Sequence, residues 1–130
     1  MTTERMLGLG TDLVEIGRVE ESLTKFGDRF VRKIFLPTES NYALSQSRPA
    51  VHLAVRFAAK EAAAKAFGTG IGDSLSWLDL EIGRHASGEP FFRFHGKGAD
   101  LALSRGVSRT LVSLSHTQTL ASATVALLGK

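Results

Sequence analysis

The chain has no cysteine, which removes a disulfide framework, a thiolate nucleophile and any cysteine-based zinc site. This fits a reducing compartment, and the cytoplasm is the simplest location. Long apolar runs are also missing. None approaches the roughly 20 residues that span a bilayer, and the polar start Met1 to Arg5, followed by Gly8, Gly10, Asp12 and Glu15, forms no signal-peptide core. No membrane association is expected. A strong charge of one sign is absent too: 16 Lys and Arg against 13 Asp and Glu leave +3. So small an excess makes no dense phosphate-binding stripe, and nucleic acid is not an expected partner. Only three prolines occur, and no Pro/Gly/Ser-rich linker, repeat or low-complexity tract divides the chain. With 43% hydrophobic and 22% charged residues, residues 1–130 read as a single domain able to bury a core.

Missing motifs exclude further chemistries. His52, His85, His95 and His116 show no short metal-ligand spacing, which argues against zinc hydrolysis. Gly8 and Gly10 follow a strand-like segment, but the third glycine of a dinucleotide fingerprint would fall at Leu13. No Gly-Lys pair precedes Ser or Thr as a phosphate loop requires. There is no Gly-x-Ser-x-Gly elbow.

The patterning that is present predicts an α+β fold with helices mostly in the first half and strands mostly in the second. Met6 to Gly10 reads as a short buried strand running into Asp12. Ile16, Val19, Leu23, Phe26 and Phe30 recur at helical spacing, with an interruption near Gly27. A short polar helix through Tyr42 and Leu44 follows, with Thr38 as its N-cap and Pro37 just outside. The long element is Pro49 to Phe67, an Ala-rich helix of about five turns with Pro at its start and Gly68 past its end. Trp77 to Ile82 and Phe91 to Phe94 read as strands joined by a turn at Gly88 and Pro90, and a short helix around Leu101 ends near Gly106. Thr110 to Ser115 and Ala121 to Leu128 alternate or run apolar and form a closing pair of strands, and the lack of a carboxylate side chain after Asp100 is read as chance plus the burial of these two strands.

Charged residues concentrate at the ends of these elements. At about 100° per residue, Glu61 and Lys65 share a face of the long helix with Ala54, Phe57 and Ala58, while Arg56 points nearly opposite. Spacing alone favours an i, i+4 ion pair. Gly68 is explained as a cap, whereas Gly70 and Gly72 require either a tight turn or a phosphate or pantetheine chain lying against the loop. Asp12, between strand and helix, is either an N-cap or a ligand. If Asp12 and Glu61 converge, two carboxylates with open water positions suit Mg²⁺. The aromatics Phe26, Phe30, Phe57, Phe67 and Trp77 fall at core-like positions, which weighs against a nucleic-acid binding module.

Two segments resemble the signatures of the holo-[acyl-carrier-protein] synthases, the small class of 4′-phosphopantetheinyl transferases. The first is Gly8-Leu9-Gly10-Thr11-Asp12-Leu13-Val14-Glu15-Ile16 with Arg18. The second is Arg56-Phe57-Ala58-Ala59-Lys60-Glu61-Ala62 continuing through Lys65-Ala66-Phe67-Gly68-Thr69-Gly70-Ile71. Asp79-Leu80-Glu81-Ile82, Gly88-Glu89-Pro90 and Val112-Ser113-Leu114-Ser115-His116 resemble a weaker third region. Glu89 and Thr117 depart from the family's common residues, and Thr117 receives no role.

The resemblance implies the phosphopantetheinyl transferase fold, with a long central helix packed on a mainly antiparallel sheet. It implies transfer of 4′-phosphopantetheine from coenzyme A to a serine of apo acyl carrier protein in fatty-acid biosynthesis, with Mg²⁺ as cofactor. By it Asp12 and Glu61 are metal ligands, and Lys65 holds or protonates the leaving phosphate. A carboxylate or a bound water takes the serine proton; the sequence leaves both open. Arg56, Lys60, Lys65, Gly68, Thr69, Gly70 and His116 are implied coenzyme A contacts. Arg18, Lys25 and Arg29 would face the acidic carrier. Because Arg56 and Glu61 point apart, a site assembled from two subunits is favoured, as the homotrimer that the resemblance implies would provide. The rival reading is a carrier-binding adaptor without catalysis.

Overall fold

A computed structural model describes residues 3–130. Its organising element is helix α4, Pro49–Phe67. Pro49 sits in the first turn, where its missing N–H is harmless, and Gly68 closes the helix at φ 81° in the left-handed conformation. The helix is buried on nearly all sides, chiefly through Ala58, Ala59, Ala62, Ala63 and Ala66. A helix lined by alanine can be approached closely, and strand β1, Arg5–Glu15, does so. A Cβ on Gly10 would run into the carbonyl oxygen of Ala62, and one on Gly8 into that of Ala66. The Gly8-x-Gly10 pair therefore serves strand-on-helix packing.

Strand β1 pairs antiparallel with β5, Leu120–Gly129, which pairs antiparallel with β4, Val107–His116, giving the order β1-β5-β4. Strands β2, Leu80–Arg84, and β3, Pro90–Phe94, form a separate antiparallel hairpin. The expected antiparallel architecture is present, divided into two sheets. Helices α1 (Ile16–Phe26) and α2 (Asp28–Ile34) meet at Gly27, where φ is 52°. Helix α3 spans Pro37–Leu44, and α5 spans Gly96–Ser104. One apolar cluster joins α4 to β5 and β2 through Ala62, Val125, Leu127 and Leu80. The other joins α4 to α1 and α2 through Leu53, Ala54, Ile16, Val31 and Ile34. Among the described residues no helix is long and apolar enough to cross a membrane.

Several expectations are corrected. Strand β1 continues past Gly10 to Glu15 because its pairing with β5 persists through Asp12↔Ala123 and Val14↔Ala121. Asp12 is therefore inside a strand, and Glu15 takes the N-cap position of α1 without a side-chain cap bond. Helix α3 begins at Pro37, and the Thr38 hydroxyl, instead of capping it, donates to Glu81 Oε2 at 2.8 Å. Trp77–Asp79 is a 3-10 turn closed by Ser76 N–H donating to Asp79 Oδ2 at 2.9 Å, so the strand starts only at Leu80. Of the closing strands, β5 is buried but β4 is an edge strand on which Leu111 is exposed. Phe67 alone of the five aromatics read as core is fully buried. Phe26 is exposed, and Phe30, Phe57 and Trp77 are half-buried along a surface groove.

The close approach makes a direct stability prediction. Overpacking costs about 1–3 kcal/mol where side chains can yield. Here the obstacle is backbone, so Gly10→Ala should lose about 3 kcal/mol or more in urea unfolding. Gly17→Ala on α1, whose new methyl meets nothing, should be neutral or gain up to roughly 1 kcal/mol. A wild-type midpoint for Gly10→Ala would contradict the packing account.

Candidate active site

Residues 8, 10 and 12 of β1 share one sheet face, so the glycines that seat the strand on α4 also aim Asp12 at it. A cavity of about 450 Å³ opens there between β1, α1 and α4, lined by Asp12, Arg18, Phe57 and Glu61 among others. The Asp12 side chain is 17% exposed, and its Oδ1 accepts from Lys65 Nζ at 2.9 Å. The same ammonium donates to the Thr11 carbonyl at 3.1 Å. Glu61 Oε1 instead accepts from Trp77 Nε1 at 3.1 Å. The ion pair favoured by helical spacing, Glu61 with Lys65, is thus replaced by a cross-element one.

The donor set fits Mg²⁺. Each of the two carboxylates keeps one oxygen without a protein hydrogen bond among the described residues. Those residues contain no group of three or more His, Asp or Glu that could close around an ion. A hard cation held by one or two carboxylates, with waters and substrate phosphates completing its shell, is the usual Mg²⁺ arrangement.

A second cluster occupies a different flank of α4. Arg56 is 3% exposed, and its Nη1 donates to the His52 carbonyl at 3.0 Å. Its guanidinium lies 4.7 Å from the centre of the Tyr42 ring, with that of Arg84 at 5.6 Å. The His52 and Tyr42 rings meet edge to face at 5.7 Å. Burial pushes the His52 pKa down, and the positive charges of Arg56, Arg84 and His116 push it further. Burial and Arg84 likewise lower that of Arg56, against Glu39 and Tyr42. Arg56 Nε is buried with no partner among the described residues. Such gathered cations with a spare donor suit a phosphate. Of the coenzyme A contacts implied by the resemblance, Arg56 lies in this cluster, where His52, Arg84 and Tyr42 join it from distant points of the chain, and the charge of His116 reaches the cluster through its effect on His52.

Lys60 is a correction. Its side chain is wholly buried, and Nζ donates to Glu39 Oε1 at 2.7 Å, the Ile34 carbonyl at 2.7 Å and the Trp77 carbonyl at 3.0 Å. With its donors so used, it cannot be a coenzyme A contact. Burial lowers its pKa, against the pull of Glu39. Glu39 in turn accepts from Leu36 N–H and Ile82 N–H, both at 2.9 Å. Nothing local signals this burial, because the counter-ion and both carbonyl acceptors come from other elements.

The turn after α4 spends its amides internally. Gly68 N–H donates to Lys65 O at 2.9 Å, and Thr69 and Gly70 N–H donate to Ala64 O at 3.2 Å each. Gly70 has φ 65°, which explains its glycine, and Thr69 Oγ1 donates to the Gly70 carbonyl at 2.9 Å. None of the three lines the carboxylate cavity. Nothing in the structure requires glycine at position 72.

On the α1–α2 side three carboxylates are occupied, whereas Glu21 has no cationic partner among the described residues. Glu15 pairs with Arg18 at 3.7 Å, Glu20 with Arg48 at 3.4 Å and Asp28 with Arg32 at 3.3 Å. Lys25 and Arg29 have no carboxylate partner among the described residues. Arg29 borders the groove containing Phe26, Phe30, Lys33, Phe57 and Trp77.

The family model of the 4′-phosphopantetheinyl transferase superfamily matches residues 8–125. A holo-[acyl-carrier-protein] synthase of Koribacter versatilis is 45% identical over 122 residues, covering 94% of this chain and 98% of that protein. The crystal structure of the Neisseria meningitidis holo-[acyl-carrier-protein] synthase superposes with a TM-score of 0.88 at 36% identity, covering 95% and 98% of the two chains. That of the Bacillus anthracis synthase, in complex with coenzyme A (3′,5′-ADP), does so with a TM-score of 0.80 at 34% identity, covering 96% and 98%.

Breaking the buried pair distinguishes a structural Lys60 from a ligand contact. Lys60→Ala leaves Glu39 buried and unpaired, and should cost about 3–5 kcal/mol in denaturant unfolding. Unchanged stability with weakened coenzyme A binding would restore the ligand role.

Proposed function

The chain belongs to the holo-[acyl-carrier-protein] synthases of the 4′-phosphopantetheinyl transferase superfamily, and from that premise we propose how its residues divide the work. The enzyme moves 4′-phosphopantetheine from coenzyme A to a serine hydroxyl of apo acyl carrier protein and releases adenosine 3′,5′-bisphosphate. The carrier's serine oxygen forms the new bond to the pantetheine-side phosphorus as its proton passes to a carboxylate or a bound water, and the bond from that phosphorus to the nucleotide-side oxygen breaks. The nucleophile arrives on the partner, so this chain needs no reactive cysteine or serine of its own.

The observation that carries the assignment of roles is the convergence of Asp12 and Glu61 on one cavity, with Lys65 bonded to Asp12. In this reading Asp12 and Glu61 would hold Mg²⁺, which when bound would supply neutralisation of the pyrophosphate charge. Lys65, half-exposed beside Asp12, donates to an oxygen of the leaving phosphate. The glycines of the Gly68-Thr69-Gly70 turn present flat backbone for the pantetheine arm. Arg56 and His116, with His52 and Arg84, take a phosphate at the nucleotide end of coenzyme A.

The two clusters lie on different flanks of α4, which favours pairing the carboxylate cavity of one copy with the cation cluster of another. Support for self-association comes from the open face of the β1-β5-β4 sheet, where Leu9 and Leu13 are 60% and 64% exposed and Leu111 is 48% exposed. We assign this face to a homotrimer of chains, each folding as one transferase domain over residues 1–130. Lys25 and Arg29, together with Arg18 at the cavity rim, steer the acidic carrier so that its serine enters beside Asp12.

Incubation with apo carrier, coenzyme A and Mg²⁺ should add one phosphopantetheine mass to the carrier, read by mass spectrometry. Asp12→Ala and Glu61→Ala should each lower turnover roughly a hundredfold or more, the scale of losing preorganised electrostatic stabilisation, with unchanged thermal unfolding. Full activity in either variant would remove that residue from the metal site.

A further inference from the structure

Trp77 is the chain's single tryptophan, and the sequence patterning places it in a strand. In the structure it opens the 3-10 turn before β2, and its indole N–H reaches Glu61 Oε1 at 3.1 Å. The indole is itself held in place. Its ring packs on Phe57, one helical turn before Glu61, with centroids 6.2 Å apart, and the Lys33 ammonium lies 5.9 Å from its centre. Its backbone carbonyl accepts from the wholly buried Lys60 ammonium at 3.0 Å. A continuous path therefore runs from the buried Glu39–Lys60 pair through Trp77 to the Glu61 carboxylate.

We infer that Trp77 is the positioning residue for Glu61, fixing one carboxylate oxygen so that the other is presented for Mg²⁺. The chemistry suits the task. An indole N–H is a donor only, so it neither competes for a cation nor changes role with pH. A glutamate side chain at the wall of an open cavity has several rotamers, and a hydrogen bond to one oxygen selects among them. Partners of ligating carboxylates typically affect metal affinity or activity by about 10–100-fold. The inference rests on Glu61 being a metal ligand.

The single tryptophan supplies the readout. With coenzyme A present, titration of the wild-type protein with Mg²⁺ should change Trp77 fluorescence saturably, and Glu61→Gln should abolish that change. In Trp77→Phe, which keeps a ring but loses the donor, the Mg²⁺ concentration for half-maximal activity should rise roughly tenfold or more. It should rise more than kcat falls, and calorimetric Mg²⁺ affinity should weaken in parallel. If the phenylalanine variant does not fold, replacing Trp77 with its benzothienyl analogue, which carries sulfur in place of N–H, should give the same shift. Unchanged Mg²⁺ half-saturation in a folded variant, or an equal loss of activity at every Mg²⁺ concentration, would overturn the inference while leaving Glu61 a ligand. Wild-type Mg²⁺ affinity in Glu61→Gln would instead overturn the metal-site reading, and the inference with it.

Discussion

The contact on which the rest depends is backbone against backbone. Strand β1 lies on helix α4 with no side-chain layer between them, because Gly8 and Gly10 face the carbonyls of Ala66 and Ala62. This brings Asp12, two residues further along the strand, to the edge of the helix that carries Glu61 and Lys65. A larger residue at either glycine would lift the strand and separate the groups. Lys65 spans the same gap, bonded to both Thr11 and Asp12. The packing constraint and the chemical site are thus consecutive stretches of the same two elements.

The buried Lys60–Glu39 pair has a different effect. Desolvating two charges is costly, and their mutual attraction offsets this only when the remaining donors and acceptors are also satisfied. Here they are, through the carbonyls of Ile34 and Trp77 and the amides of Leu36 and Ile82. The pair therefore ties the end of α2, the start of α3, the middle of α4, the 3-10 turn and β2 to one point. The path from Lys60 to Trp77 to Glu61 carries that constraint to the edge of the carboxylate cavity.

Much of this was legible in the sequence because it rests on local rules. The bounds of α4 follow from Pro49 and Gly68, and the convergence of Asp12 and Glu61 was anticipated by the two family-like segments. What could not be read depends on long-range pairing. Asp12 stays open between helix cap and ligand in the sequence because nothing local reveals that β5 extends β1 to Glu15. Lys60 reads as a coenzyme A contact by the family resemblance because its counter-ion, Glu39, lies on another helix. Thr38 looked like a cap until Glu81, 43 positions away, supplied an acceptor. His52, Arg84 and Tyr42 form a cluster with Arg56 only once α3, α4 and β2 are packed. Periodicity also overstated the core: Phe26 keeps helical spacing yet is 48% exposed beside Lys25.

The central claim is that α4 divides its labour, with carboxylates for the metal on one flank and cations for phosphate on another, so that a complete site needs two copies. Mixed oligomers test it directly. Glu61→Ala and Arg56→Ala would each be inactive alone, and would then be unfolded together and refolded as a mixture. In a closed ring of head-to-tail contacts, random mixing should leave roughly a quarter of the sites with both faces intact, so transfer activity should reappear. A mixture as inactive as its components, with mixed assembly verified by native mass spectrometry, would contradict the shared site and place the whole reaction within one chain.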